Sequence, residues 1–123
     1  MSNSAVNKDS NLSIIAEEIQ NRVPAKAIIL TGSRATGQCV SESSDYDIVV
    51  VMHIVEIPIY LHKLKRLEEE LERATGKPVT IRPIPTFKLL RSTGNLYLFK
   101  VKSEGLTIYG KDFLPDLEPG DIK

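Results

Sequence analysis

The stretch that decides the fold is Leu30-Thr31-Gly32-Ser33, then eleven residues, then Asp45-Tyr46-Asp47-Ile48. Each motif adjoins an apolar run: Ala27 to Leu30 leads into the first, and Ile48 to Met52 continues the second. Short apolar runs bounded by turn residues are typical of buried strands. We therefore predict two strands, with a Gly-Ser turn after the first that opens a brief helix over 33–38.

The two aspartates are expected to share one face of the second strand, because side chains alternate across a strand. Asp45 and Asp47 would then lie about 7 Å apart. Proteins usually hold Mg²⁺ with one or two carboxylates together with phosphate oxygens. Gly32 lets the backbone approach a phosphate, Ser33 adds a hydroxyl, and the helix N-terminus favours an anion. The aspartates are therefore the predicted metal ligands and catalytic residues, and the Gly-Ser turn is the predicted phosphate site.

Helical patterns flank this stretch on both sides. Apolar residues at helical spacing from Leu12 to Val23 predict a first helix, which Pro24 ends. A longer apolar stripe predicts a second helix from near Pro58 to Gly76, which occupies the position of a C-cap glycine. The members of this stripe are Leu61, Leu64, Leu67 or Glu68, Leu71 and Ala74.

The C-terminal third continues with a third strand, Val79 to Ile84, in which Pro83 and Pro85 indicate a sheet edge or an early end. Three further segments are predicted: a helix at Phe87 to Arg91, a helix or strand at Leu96 to Lys102, and a short strand at Leu106 to Tyr109. The fold class is α/β (α+β), with a small mixed sheet flanked by helices.

The composition describes an ordinary globular protein. The chain has 123 residues, of which 41% are hydrophobic and 26% charged. We predict a disordered tail over 1–8, one domain over 9–111 and an extended tail over 112–123. Lys plus Arg and Asp plus Glu both number 16, so the net charge of 0 disfavours a long nucleic acid as partner. The apolar runs are too short for a membrane helix, and the single Cys39 suits a reducing, cytoplasmic location.

The two motifs together resemble the signature of the polymerase β-type nucleotidyltransferase superfamily. Length and layout are similar to its minimal nucleotidyltransferase (MNT) domains. The resemblance implies Mg²⁺ dependence, a triphosphate on Gly32 and Ser33, and transfer of AMP from ATP to an acceptor. It also implies a small all-helical partner protein, sometimes a toxin that an MNT antitoxin modifies; a homodimer is the alternative.

The chain departs from that family at the third carboxylate, which lies on the next core strand. Here the aligned position is Thr80, and the next residue on the same face is Arg82. A neutral threonine cannot act as general base at neutral pH, and an arginine near the metals would repel them. The missing acid could come from Glu104 or from a partner chain. The alternative function is a catalytically weak or inactive nucleotide-binding, antitoxin-like subunit of a helical partner.

Other candidate residues carry weaker signals. His53 and His62 are nine residues apart and lack the spacing of a zinc site, so structural or surface roles are expected. A partner surface is expected either at Ile57, Ile59 and Tyr60 or at the pair Tyr97 and Phe99.

Overall fold

The elements follow the predicted order. In the computed structural model, the described residues are 10–32, 35, 45–91, 101 and 105–110. They form α1 (Ser10–Arg22), β1 (Ala27–Thr31), β2 (Tyr46–Met52), α2 (Ile57–Thr75), β3 (Val79–Pro85), α3 (Thr86–Arg91) and β4 (Leu106–Gly110). A single 3-10 turn, Ile54–Glu56, joins β2 to α2.

The sheet is mixed, as expected, with strand order β3-β2-β1-β4. β1 runs antiparallel to both β2 and β4, whereas β2 and β3 are parallel. A parallel pair needs a long crossover connection, and α2 supplies it. The motif strands β1 and β2 therefore occupy the centre of the sheet.

The two sheet faces bury different residues. One face packs against α1 and α2 and contains the larger cluster, which includes Ile28, Leu30, Tyr46, Ile48 and Val50. The opposite face carries a smaller cluster of Ala27, Ile29, Val49, Val51, Ile84 and Val101. Because β1 and β2 are buried on both faces, their sequences read as continuous apolar runs rather than as alternation.

The long helix α2 matches its prediction in extent and partly in its buried face. Gly76 ends it in the left-handed conformation with φ 73°. Leu64, Leu67 and Leu71 are buried, but Leu61 and Ala74 are exposed. The predicted stripe was therefore too long by one residue at each end, because the sheet covers only the middle turns of the helix.

β3 occupies a sheet edge among the described strands, as its prolines indicate, and it ends at Pro85, one residue beyond its predicted end. The strand continues through Pro83 and Pro85, which pair with Val50 and Met52 of β2. On its outer side the backbone N–H of Ile81 donates to Oε2 of Glu68 at 2.7 Å. A helix side chain thus satisfies a backbone donor on the side of β3 that has no neighbour among the described strands.

Several predictions fall on residues outside the described part of the chain. These are the tails, the segment Leu96 to Lys102 except for the helical Val101, and the brief helix over 33–38 except for Ala35. Ala35 is helical, and its N–H donates to the carbonyl of Gly32 at 3.0 Å. No helix within the described ranges is both long and apolar enough to cross a membrane.

Candidate active site

The register of β1 and β2 brings the two sequence motifs together at one end of the sheet. Thr31, the last residue of β1, pairs with Asp47 of β2. The Thr31 hydroxyl donates to the backbone carbonyl of Asp47 at 3.1 Å and is nearly fully buried. This contact fixes the end of β1 against the strand that carries the aspartates.

Gly32 directly faces the Asp47 carboxylate. Its φ is +80°, a region that side chains rarely adopt, and a Cβ built there would lie 2.5 Å from Oδ2 of Asp47. A glycine is therefore required twice at this position, by the backbone turn and by the close approach of the carboxylate. The turn of the first motif and an acid of the second converge within a few ångströms.

The negative charge of Asp45 acts on the Asp47 carboxyl. Asp45 is exposed just before β2, and Asp47 is half-buried within the strand. Burial raises the pKa of the Asp47 carboxyl above its ordinary value, and the negative charge of Asp45 raises that pKa further. The positive charge of Arg82 lowers the same pKa. The negative charge of ionised Asp47 is thus poorly compensated in this structure.

β3 contributes the residues that lie beside Asp47 on the neighbouring strand. In the parallel register Thr80 pairs with Asp47, and Arg82 pairs with Val49. The residue beside Asp47 on the next strand is therefore a threonine, as the alignment of the sequence motif predicts. Alternation along β3 puts Arg82 on the same face as Thr80 and Asp47.

The donor set suits one divalent ion. Two neighbouring carboxylates with excess negative charge are the oxygen ligands that Mg²⁺ prefers, the remaining positions being filled by water and phosphate oxygens. Among the described residues there is no group of three or more His, Cys, Asp or Glu side chains placed to hold a metal. Asp45 and Asp47 alone are the candidate ligands on this part of the chain.

Some predicted site residues are not described. Ser33 and Glu104 lie outside the described residues, as does Cys39. His53 has a structural role, since its Nδ1 accepts from the N–H of Val55 at 3.4 Å as the cap of the 3-10 turn. His62 is exposed on α2.

The expected partner surfaces differ in exposure. Ile59 is 69% exposed, whereas Ile57 and Tyr60 are half-buried. Tyr97 and Phe99 lie outside the described residues. Other large apolar side chains, not predicted as partner surfaces, are also exposed: Ile14, Ile54, Val55, Leu61 and Phe87.

The mixed four-stranded sheet and its helices form a nucleotidyltransferase fold. The chain belongs to the nucleotidyltransferase domain family, whose model matches residues 12–104. A comparison with curated proteins found no match.

Solved structures with a similar fold are MntA minimal nucleotidyltransferase antitoxins in toxin-antitoxin complexes. One is a toxin-antitoxin crystal structure with AMP-PNP, at 21% identity and TM-score 0.59, covering 81% of this chain and 73% of the other. Another is the Shewanella oneidensis MNT antitoxin complex with a tri-AMPylated HEPN toxin, at 20% identity and TM-score 0.54, covering 83% and 71%. At these identities the likeness establishes the fold.

Proposed function

We propose that this protein is a Mg²⁺-dependent nucleotidyltransferase that moves a nucleoside monophosphate, AMP from ATP, onto an acceptor on a partner protein. The observation that carries the proposal is the contact of the Asp47 carboxylate with Gly32, beside Asp45, in a chain of the nucleotidyltransferase domain family. That contact supports a metal site at the aspartates beside a phosphate site at the turn.

The reaction assigns a role to each part of the site. The acceptor hydroxyl oxygen bonds to the α-phosphorus of ATP, the bond from that phosphorus to the bridging oxygen breaks, and pyrophosphate leaves. The hydroxyl proton passes to water, because Thr80 offers no base beside Asp47. The open backbone at Gly32, with Ser33, binds the phosphates, and Asp45 and Asp47 hold the metal.

A bound Mg²⁺ would neutralise charge on the attacking and leaving oxygens. The carboxylates supply the negative charge that holds it. Burial of Asp47 and repulsion by Asp45 leave the negative charge of Asp47 poorly compensated until a cation binds. Because the metal needs ionised ligands, its affinity should fall as pH falls through the raised pKa of Asp47.

A labelled-ATP assay tests the proposal. Asp45→Asn and Asp47→Asn should each reduce Mg²⁺-dependent transfer of labelled AMP by about 100-fold or more, since each removes a metal ligand. Glu69→Gln changes an exposed acid on α2 in the same isosteric way and should leave transfer unchanged. Transfer that survives both aspartate substitutions would refute the proposed site.

Thr80 supports a second candidate, a subunit that binds nucleotide and transfers it slowly or not at all. In register with Asp47 it occupies the place of the family's third carboxylate. Calorimetry with Mg²⁺ and α,β-methylene ATP, whose α–β bridge cannot be cleaved, measures binding apart from transfer. Binding without turnover would favour this candidate, and Thr80→Asp should then raise transfer by about 100-fold, the usual contribution of a general base.

The proposed acceptor belongs to a small helical partner protein in the cytoplasm. This proposal is supported by the fold likeness to MNT antitoxins in toxin-antitoxin complexes. Affinity capture followed by intact-mass analysis tests it: a small helical protein carrying the added mass of AMP is the expected result. A homodimer with no such protein would contradict it.

A further inference from the structure

Arg82 introduces a positive charge on the sheet face that carries the acid pair. It lies two register pairs beyond Thr80 on β3, so it is a diagonal neighbour of Asp47 across the parallel strands. Diagonal neighbours lie about 7 to 8 Å apart and remain within reach of long side chains. Arg82 is also exposed to solvent.

The positive charge of Arg82 acts on the acid pair, since it lowers the pKa of Asp47. The strand residues nearest to it on this face are the apolar Val49 and Ile84 and the neutral Thr80. The four strands and the residue that precedes β2 contain two acidic residues, Asp45 and Asp47. Arg82 would repel a divalent ion bound at these aspartates and attract a polyphosphate bound there.

We infer that Arg82 couples metal binding to nucleotide binding: it opposes entry of a free divalent ion at Asp45 and Asp47 and attracts the phosphates of the nucleotide. This inference rests on the proposed function. The metal then enters as part of the metal-nucleotide complex, whose net negative charge Arg82 favours. One arginine on β3 would thus set the order in which the ligands bind.

The coupling predicts opposite changes in two affinities. Removing a unit charge about 7 Å from a divalent ion in a solvated site should tighten free-metal binding about fivefold to tenfold. Loss of a charge-assisted contact to phosphate should weaken nucleotide binding about tenfold. A residue with only a structural role would change both affinities in the same direction.

The experiment uses the full chain and two probes. Paramagnetic resonance measures binding of Mn²⁺ alone, and calorimetry measures binding of α,β-methylene ATP in excess Mg²⁺. Arg82→Gln should bind Mn²⁺ more tightly and nucleotide more weakly than wild type, while Arg82→Lys keeps wild-type Mn²⁺ affinity. Arg66→Gln, at an exposed position on α2, should change neither. Arg82→Met, which keeps the apolar stem, replaces Arg82→Gln if thermal unfolding shows that the latter is unfolded.

The outcomes separate the two proposals. If Arg82→Gln weakens both affinities or alters neither, while wild type binds both probes, the inference on Arg82 is wrong and the proposed function stands. If wild type binds neither Mn²⁺ nor the nucleotide, the proposed function is refuted and this inference with it.

Discussion

At the residue scale, Gly32 is constrained both by its backbone conformation and by the nearby Asp47 carboxylate. Gly32→Ala should destabilise the fold by about 1 to 2 kcal/mol through its left-handed backbone. It should also displace the Asp47 carboxylate and weaken binding of Mg²⁺ and α,β-methylene ATP by about tenfold or more, since the new methyl group occupies the carboxylate's position. Denaturant unfolding and calorimetry measure the two effects.

Gly76 provides the matched control for this substitution. Its φ is +73°, close to that of Gly32, but an added Cβ would meet nothing within 4 Å. Gly76→Ala should therefore show a similar loss of stability with unchanged nucleotide affinity. Equal binding losses in the two variants would mean that backbone strain, and not the contact with Asp47, accounts for the effect at Gly32.

Asp47 should make stability depend on pH. Its pKa is higher in the folded protein than in the unfolded chain, so ionisation disfavours the fold. This destabilisation is absent below the ordinary aspartate pKa, grows as pH rises to the raised pKa, and is complete above it. Metal-free Asp47→Asn should therefore melt at a higher temperature than wild type at neutral pH, and the difference should shrink toward pH 3.

Thermal unfolding across pH checks this expectation, with Glu69→Gln as the exposed control. Saturating Mg²⁺ and α,β-methylene ATP should reverse the order at neutral pH, because wild type alone then gains stability from the ligand. A metal-free Asp47→Asn protein that melts below wild type at neutral pH would contradict the assigned charge balance.

Residue patterns predicted the residues of the candidate site, but some of the contacts among its described residues could not be predicted from the sequence. The spacing of Asp45 and Asp47 predicted their shared face, and the third-strand alignment predicted Thr80 opposite Asp47. The role of Thr31 was missed, although it adjoins Gly32 in the quoted motif. Its hydroxyl bond to the Asp47 carbonyl depends on the antiparallel register of β1 and β2, which no local pattern specifies.

At the element scale, two glutamates on α2 have different structural roles. Glu68 accepts the buried backbone N–H of Ile81, whereas Glu70 pairs at 2.7 Å with Arg22 of α1 in a partly exposed bridge. Glu68→Ala should cost about 1 to 3 kcal/mol, because it leaves a buried donor unsatisfied. Glu70→Ala should cost less than about 1 kcal/mol.

Denaturant unfolding of the two variants distinguishes these roles. Glu69→Ala, between them on the exposed side of α2, should remain within about 0.5 kcal/mol of wild type. A loss for Glu70→Ala equal to that for Glu68→Ala would show that the carboxylate at the edge of β3 has no special role.

Element positions followed from the sequence where the physical signal is local. Continuous apolar runs predicted β1 and β2, and Gly76 correctly predicted where α2 ends. The prolines correctly indicated an edge position for β3, and the strand extends one residue beyond its prediction because an edge strand tolerates proline. The exposure of Leu61 was missed because helical spacing identifies a face but not how far the sheet extends beneath it.

At the scale of the whole molecule, the division of the sheet faces explains where the site lies. α1 and α2 cover one face with the larger core cluster, and the aspartates lie on the other face at the end of β2. The candidate site thus lies apart from the main core. Isosteric changes at Asp45 and Asp47 can therefore alter ligand binding without loss of the fold.

The most direct test is the position of the metal in crystals of the protein grown with Mn²⁺ and α,β-methylene ATP. An anomalous difference map should show an Mn²⁺ peak bound by carboxylate oxygens of both Asp45 and Asp47, at about 2.2 Å, with the triphosphate against Gly32. Nucleotide and metal bound elsewhere, with the two carboxylates directed away from each other, would contradict the assignment of this site.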